Sequence, residues 1–421
     1  MGRQTMLDSD MPSVREDLAK QKGCDTDRIR SDFPILQRVI DGRQITYFDT
    51  AATSLKPQPV IDAIMNFYTR STANIHRGVH LLSMEASDLY EEARGKVARF
   101  LNADEEEIVF VRNATEAINL VCNCLPLSGH VVVTVADHHS VLLPWYGRRK
   151  VSYVGVKRDG LLELADMENA VSDKPALVCL PHVSNALGAV TPVEECIAMT
   201  HKAGGLILVD GSQSVPHMLV DVQALGCDFL AFSGHKMLGP SGIGVLYGRR
   251  ELLERMQPFM RGGSMIKEVR KDYFLPEDLP GKFEAGTPNI EGAIGLGAAV
   301  EYLESIGMDN VEAHVRKLTA AALDVLSHTD KIRVHGPKDP KDRSASVAFT
   351  LPGLEAHGLA KILSNRYAIM VRSGYHCAQL LHETLGIGQT VRASFYIYNT
   401  LDEIHSFGNA LAEIVKSYTH K

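Results

Sequence analysis

The sequence lacks a long hydrophobic run and has no excess of positive charge. No uninterrupted apolar stretch approaches the roughly 18 residues that a membrane-spanning helix needs, so we expect no membrane partner. Lys and Arg number 44 against 51 Asp and Glu, which gives a net charge of −7 and predicts no nucleic-acid partner. Apolar residues make up 45% of the chain and charged residues 23%, the balance of a folded globular protein.

Cysteine is also scarce, with seven residues scattered along 421 positions. An odd number without regular spacing is not typical of a disulfide scaffold and favours a reducing compartment. Residues 1–30 carry six acidic and six basic residues and no apolar segment, unlike a secretory or transit signal. We therefore expect a cytoplasmic protein in which residues 1–30 form a polar N-terminal extension.

Short apolar runs alternate with helical patterns in the first two thirds of the chain. Residues 85–101 show helical spacing of apolar side chains, and further helices are expected near 116 and over 193–203. The predicted strands are IVFV (108–111), VVVTV (131–135), ALVCL (176–180), LILVD (206–210) and FLAFS (229–233). Such runs separated by helices indicate a parallel sheet that is covered on both faces.

The last third of the chain has a different pattern. A helical stretch over 291–328 is broken near Gly307, and the segments that follow are SVAFT (346–350), a helix at 355–365, AIMVR (368–372) and a helix at 401–417. This order predicts a smaller α+β unit. We expect a segment 31–46 that packs with this unit, a large domain over 47–295 and a small domain over 296–421.

Polar residues follow two of the predicted strands at their carboxyl ends, where open α/β sheets bind ligands. Asp210 ends one strand, and Lys236 follows another by three residues. Taken alone, Lys236 could be a solvated loop residue. Together, a lysine and an acid at neighbouring strand ends are what a pyridoxal cofactor requires. The segment 113–115 starts a predicted helix, whose first amides can bind a phosphate.

Ten segments give the sequence a family resemblance. It resembles the class V aminotransferase-like family of fold-type I enzymes and, within it, the Suf-type (group II) cysteine desulfurases. The segments are YFDTAATS (47–54), NIHRGVH (74–80), RNATEAINL (112–120), DHHS (137–140), HVSNALG (182–188), VDGSQSV (209–215), FSGHK (232–236), FEAGTPN (283–289), VRSGYHCA (371–378) and VRASFYIYNT (391–400). The resemblance implies an α/β fold with a large, mixed, mostly parallel seven-stranded sheet and a smaller α+β C-terminal domain.

The resemblance also implies a site for pyridoxal 5'-phosphate. Lys236 would be the lysine that bonds to the cofactor, Asp210 would pair with the pyridine nitrogen, and His138 would stack on the ring. The other cofactor-binding residues that it implies are Ala114, Thr115, Asn185, Gln213, Ser233, His235 and, from a second subunit, Thr287. No zinc-site spacing or phosphate-binding P-loop occurs in the sequence, and we expect no metal.

For the substrate, the resemblance implies that Arg392 binds the carboxylate, with Arg372 the weaker candidate and with Asn185 and His76 nearby. Cys377 would be the nucleophile. A lone cysteine is more often buried than reactive, but Cys377 follows a polar turn that favours exposure and a nearby positive charge. The other six cysteines read as structural, since they lie on apolar helices or strands or lack such a setting.

The implied reaction converts L-cysteine to L-alanine and leaves a persulfide on Cys377. The implied partners are a second copy in a homodimer with shared active sites and a SufE- or SufU-like sulfur acceptor for iron–sulfur cluster assembly. His357 lies near the position at which SufU-dependent members carry a zinc-exchanging histidine, and the alternative is that it is an ordinary surface histidine. A selenocysteine lyase, a cysteine sulfinate lyase, another C–S lyase and a non-catalytic role stay open.

Overall fold

The structure is a computed structural model, and it describes residues 25–419. Most of the predicted extension 1–30 lies outside the described residues. Within the described part, residues 26–31 form a helix whose first turn is capped by Asp25: the Asp25 carboxylate accepts a hydrogen bond from the Arg28 amide at 3.2 Å. Carboxylate side chains cap helices well because they satisfy the free amides of the first turn.

The strands fall into one large sheet, one smaller sheet and three strand pairs. In chain order they are β1 Val39–Ile40, β2 Arg43–Gln44, β3 Thr46–Tyr47, β4 Ile108–Val111, β5 Val131–Thr134, β6 Val151–Val154, β7 Leu177–Pro181, β8 Leu206–Asp210, β9 Phe229–Ser233, β10 Gly244–Gly248, β11 Ile266–Val269, β12 Phe274–Pro276, β13 Arg333–His335, β14 Ser346–Thr350, β15 Ile369–Met370, β16 Arg372–Gly374 and β17 Thr390–Ser394.

Helices pack against both sheets, and Met308–Ser327 and Ala356–Tyr367 contact the smaller one. The α-helices are Thr26–Ser31, Gln58–Asn66, Leu81–Leu101, Ala114–Cys124, His139–Leu142, Leu164–Ser172, Val193–Lys202, Val222–Leu225, Arg250–Arg255, Ile290–Ile306, Met308–Ser327, Ala356–Tyr367, Gln379–Leu385 and Leu401–Thr419. The predicted break near Gly307 is confirmed, because this residue separates two helices with a φ of 85° that favours glycine.

The large sheet has seven strands in the order β4-β10-β9-β8-β7-β5-β6. β10 runs antiparallel to both of its neighbours, and the other adjacent pairs are parallel. Every residue of β4, β5, β7, β9 and β10 is buried, as expected for a sheet covered on both faces. The predicted mixed, mostly parallel sheet is therefore confirmed.

The carboxyl ends of β5, β7, β8 and β9 meet at one edge of this sheet, together with the turn that follows β4. Gly244 begins the antiparallel strand β10 beside that turn. A Cβ at this position would lie 2.6 Å from the Asn113 Cα and 2.8 Å from the Phe232 carbonyl oxygen. Because no side chain fits there, glycine lets the turn at 113–115 approach the end of β9 closely.

The smaller sheet is antiparallel, in the order β13-β14-β17-β16. The prediction of one strand over 368–372 is wrong, since β15 and β16 belong to different sheets. β15 pairs in parallel with β3, whereas β16 pairs with β17. The chain thus leaves one sheet and enters another at Val371, and the pairing of β15 with β3 connects the N-terminal segment to the C-terminal part of the chain.

Two long helices, Ile290–Ile306 and Met308–Ser327, join the large sheet to the C-terminal part of the chain. The helix Ile290–Ile306 runs across the predicted domain boundary at 295/296 and packs against the helix Leu81–Leu101. A Cβ at Gly297 would lie 3.0 Å from the Ala93 side chain, so the two helices approach closely at this point. Among residues 25–419, the helices are all too short or too polar to cross a bilayer.

Candidate active site

A cavity of about 300 Å³ opens at the edge where the strand ends meet. It brings together ten of the residues that the sequence predicts for the site: Ala114, Thr115, His138, Asn185, Ser233, His235, Lys236, Arg372, Cys377 and Arg392. Ala51, Ala52, Asn113, Ser140, Ser212 and His376 also line it. The large sheet supplies the floor of this cleft, and the smaller sheet supplies the arginines and the cysteine.

Lys236 ends the single helical turn that follows β9. Burial lowers the pKa of its amine, and the nearby Asp210 carboxylate offsets part of this effect. A lowered pKa increases the neutral fraction of an amine, and the neutral amine is the form that attacks a carbonyl carbon or accepts a proton.

The main chain just before Lys236 is held by three residues to which the sequence analysis assigned no role: Thr53 and Ser54 at the end of the matched segment 47–54, and Lys56. The His235 carbonyl oxygen accepts four hydrogen bonds, from the Thr53 hydroxyl, the Ser54 amide and hydroxyl, and the Lys56 ammonium. The Lys56 Nζ–His235 oxygen distance is 2.9 Å. The pKa of Lys56 is lowered to about 7, because the charged amine loses solvation when it is buried in this position.

Asp210 lies at the end of β8 and is buried. Its Oδ1 accepts a hydrogen bond from the Ser212 amide at 2.9 Å. Asp137 lies nearby, and its burial, together with the Asp210 charge, raises its pKa well above the usual value for a carboxyl. Gln213 is also buried, and its side-chain amide donates to the Ala51 carbonyl at 2.9 Å.

The turn after β4 starts the helix Ala114–Cys124. The Asn113 side chain caps this helix by accepting from the Glu116 amide, and the Ala114 amide donates to the Ser233 hydroxyl at 2.9 Å. Thr115 is exposed at the helix start. The dipole of such a helix favours an anion at this end.

His138 lies on the loop after β5 and caps the short helix His139–Leu142. Its Nδ1 lies 2.8 Å from the Ser140 hydroxyl and accepts from the Ser140 amide at 3.1 Å. Burial, followed by the charge of Lys236, lowers its pKa. At neutral pH the ring is therefore an uncharged, partly buried aromatic surface on the cleft wall.

Cys377 is exposed on the loop between β16 and the helix Gln379–Leu385. His376 and Cys377 both have positive φ, 51° and 55°, in the left-handed region. Two contacts from the large sheet hold the loop there: the Asn185 side chain donates to the His376 carbonyl at 2.6 Å, and the His139 amide donates to the Cys377 carbonyl at 2.8 Å. His139 was not predicted to contribute to the site.

Two arginines reach the cleft from the smaller sheet. Arg392 on β17 is buried, and its Nη1 donates to the Asn185 carbonyl at 2.6 Å, while its Nε has no partner among the described residues. Burial lowers its pKa to about 10. Arg372 is half exposed, and its Nε lies 3.1 and 3.2 Å from the two Asp49 oxygens.

The structure does not bring His76 and Thr287 to the cleft within one chain. The His76 ring is exposed and lies 2.8 Å from a Glu91 carboxylate oxygen. Thr287 is exposed in a separate cavity of about 580 Å³, which Phe110 and Phe259 also line.

The remaining described cysteines have a different setting from Cys377. Cys124, Cys179, Cys196 and Cys227 are buried, and burial raises the pKa of Cys124 to about 11. Cys122 is half-buried, and its thiol donates to the Pro144 carbonyl. Cys24 lies outside the described residues. Among residues 25–419, no cluster of three or more His, Cys, Asp or Glu side chains could hold a metal ion.

The fold and the cleft define an enzyme of the class-V aminotransferase type. The model of this family matches residues 46–407. The chain belongs to the class-V aminotransferase family, whose cofactor is pyridoxal 5'-phosphate.

Similar proteins carry one recurrent name. A probable cysteine desulfurase of Halobacterium salinarum is 46% identical over 406 residues, which cover 94% of this chain and 97% of that protein. A cysteine desulfurase of Haloferax volcanii is 44% identical over 411 residues, or 92% and 96% of the two chains. The solved cysteine desulfurase of Thermococcus onnurineus NA1 superposes with a TM-score of 0.88 at 42% identity, over 93% of this chain and 98% of that one.

The cleft has the chemistry that pyridoxal phosphate needs. A lysine amine with a lowered pKa lies near a buried carboxylate, and an uncharged histidine ring forms part of the wall. A helix N-terminus with adjacent hydroxyls provides a cradle for a phosphate group at the same edge. The residues present therefore fit this cofactor.

Proposed function

We propose that this protein is a pyridoxal-phosphate-dependent cysteine desulfurase, which converts L-cysteine to L-alanine and takes the sulfur onto Cys377 as a persulfide. The observation that carries the proposal is an exposed cysteine in the same cleft as Lys236 and Arg392. Relatives that are 44–46% identical over most of the chain carry the same activity in their names.

Each cofactor contact in this proposal has a candidate residue, which lines the cleft or, for Asp210 and Gln213, is buried next to lining residues. Lys236 would bond to the cofactor, Asp210 would pair with its pyridine nitrogen, and His138 would stack on its ring. The phosphate and the ring oxygen would be bound by Ala114, Thr115, Asn185, Gln213, Ser233 and His235. When bound, the cofactor supplies an electron sink for the Cα of an amino acid.

Residues of the chain then bind the substrate, accept its Cα proton and take up its sulfur. Arg392 binds the substrate carboxylate, because a guanidinium fork matches two carboxylate oxygens. The neutral Lys236 Nζ accepts the proton from Cα. The Cys377 thiolate attacks the substrate sulfur, so that an S–S bond forms as the Cβ–S bond breaks and Cβ takes up a proton. Lys236 then returns a proton to Cα, which gives alanine.

We further propose a homodimer that completes each cleft with Thr287 and His76 of the partner copy. Large apolar side chains near both residues are exposed in the single chain: Val79, Leu81, Leu82, Met84, Phe259, Met260 and Leu275. Exposed apolar clusters of this kind are typical of interaction surfaces. Analytical ultracentrifugation should give twice the 46.2 kDa chain mass, and a monomer with full activity would contradict the shared site.

The proposed sulfur acceptor is a separate SufE- or SufU-like protein that serves iron–sulfur cluster assembly. The Cys377 loop is short and is held at His376 and Cys377 by the large sheet, so it does not carry sulfur far. His357 is exposed beside β16, with its Nδ1 2.7 Å from the Ser373 hydroxyl, and it offers a nearby contact for the acceptor. The six described cysteines are free, which suits a reducing cytoplasm.

The test of the proposed function is product analysis on the purified holoenzyme. With L-cysteine and no reductant, we expect a burst of about one alanine per cleft, because the persulfide must leave before the next turnover. A reductant should restore steady turnover and release sulfide. Faster turnover with L-selenocysteine or L-cysteine sulfinate, and no alanine from L-cysteine, would assign a different lyase.

A further inference from the structure

One carboxylate lies between the two arginines of the cleft. Asp49 follows β3, and its Oδ1 lies 3.1 Å from the Arg372 Nε and 3.4 Å from the Arg392 Nη2. The backbone fixes Asp49 in this position, because it forms a bridge with Ser394 on β17 and its carbonyl accepts from the Ala52 amide. The Asp49 side chain is largely buried, at 17% exposure.

The charges around Asp49 leave one uncompensated cation. Apart from the nucleophile Cys377, two guanidinium groups and one carboxylate sum to +1, and burial lowers the pKa of His138, His235 and His376, so that these rings stay neutral at neutral pH. The charge of Lys236 interacts with the buried carboxylate of Asp210. One substrate carboxylate on Arg392 therefore balances the arginine cluster.

The two arginines differ in how much of each guanidinium group Asp49 occupies. Asp49 contacts Arg372 through both oxygens but Arg392 through one, and the Nε of the buried Arg392 has no partner within residues 25–419. Arg372 lines the cleft together with Cys377, and an electrostatic interaction links the two residues. Any group on the substrate Cβ must lie near Cys377 to react, and thus near the arginine that Asp49 already neutralises.

We propose that Asp49 is a specificity-determining residue that neutralises Arg372 and thereby disfavours substrates with a second negative charge on Cβ. It acts through the arginines and does not contact the substrate. The inference rests on the proposed function, since it assigns the substrate carboxylate to Arg392. It narrows the substrate class to amino acids whose side chain is uncharged when it binds.

The test compares two ligands that differ by one charge, L-alanine and L-aspartate. Their dissociation constants are measured on the holoenzyme from the change in visible absorbance, which requires no turnover. In Asp49→Asn, the freed Arg372 can bind the β-carboxylate, so we expect the aspartate/alanine affinity ratio to rise by roughly tenfold, as for a hydrogen bond between charged groups. Asp49→Glu keeps the charge and should restore the wild-type ratio.

Two further variants separate this role from a structural one. Asp49→Asn combined with Arg372→Gln should lose the gain, because the cation that binds the second carboxylate is gone. Glu403→Gln removes a carboxylate that pairs with Arg30 away from the cleft, and it should leave the ratio unchanged. An unchanged ratio in Asp49→Asn, or an equal rise in Glu403→Gln, would overturn the proposal. Normal ligand binding without alanine release from L-cysteine would instead count against the desulfurase function.

Discussion

Replacing Cys377 with serine should reduce alanine release from L-cysteine by more than about 10³-fold, as expected when a covalent nucleophile is removed. A serine hydroxyl is a far weaker nucleophile than a thiolate and cannot carry a persulfide sulfur. The visible absorbance of the bound cofactor should not change, because the hydrogen bond of Cys377 is made by its carbonyl with the His139 amide and not with Lys236 or Asp210. Alanine is measured by chromatography and sulfane sulfur by cyanolysis.

Cys122→Ser is the matched control for this substitution. Cys122 is the most exposed of the other described cysteines, and it lies on a helix that reaches the same edge of the sheet. We expect this variant to keep the wild-type rate. Continued desulfuration by Cys377→Ser, or its loss in Cys122→Ser alone, would show that Cys377 is not the nucleophile.

Replacing Lys236 with alanine should remove the covalent attachment of the cofactor and lower turnover by about 10²–10⁴-fold, the usual contribution of a positioned proton-transfer group. The variant lacks the amine that both bonds to the cofactor and accepts the Cα proton. Borohydride reduction followed by peptide mass analysis should locate the cofactor on the Lys236 peptide in the wild type and find none in the variant.

Lys282→Met is the control for the loss of a buried amine. Burial also lowers the pKa of Lys282, but its ammonium donates to the Glu254 carbonyl, away from the cleft. This variant should keep the labelled Lys236 peptide. Full turnover by Lys236→Ala, or a label on another lysine in the wild type, would refute the assignment of Lys236.

The central strands could be predicted from sequence because each is a short, wholly apolar run. The observed β7, Leu177–Pro181, lies one residue from its prediction, and β8 and β9 match theirs. The first residues of helices were harder to predict from the sequence. The helix predicted from residue 85 begins at Leu81, because the His80 ring accepts from the Ser83 amide and caps it. Histidine is not among the residues that usually mark a helix start.

Partners that are distant in sequence could not be predicted from periodicity. The run 368–372 has one continuous β pattern, yet it divides between two sheets because its partners, β3 and β17, lie on opposite sides of it in the chain. A local pattern shows which residues favour a strand, whereas the pairing depends on the packing of the whole fold.

The same limit applies to the site. Lys236, Asp210 and Cys377 could be selected because their motifs resemble a family. Asp49 and Ser54 lie inside the matched segment 47–54, but nothing in the segment predicted their contacts with Arg372 and the His235 carbonyl. Lys56 and His139 act through backbone carbonyls, which leave no pattern in side-chain sequence. In the proposed homodimer, the roles of His76 and Thr287 depend on the second subunit, which a single sequence does not position.

Four donors hold the His235 carbonyl, so the backbone before Lys236 stays in place while the Lys236 side chain moves. With the peptide before Lys236 clamped, the amine can leave and return by rotation about its own side-chain bonds. Such rotations take place in picoseconds to nanoseconds, whereas loop rearrangements are slower. The Lys236 amine can therefore return to its starting position between turnovers without a rearrangement of the backbone that carries it.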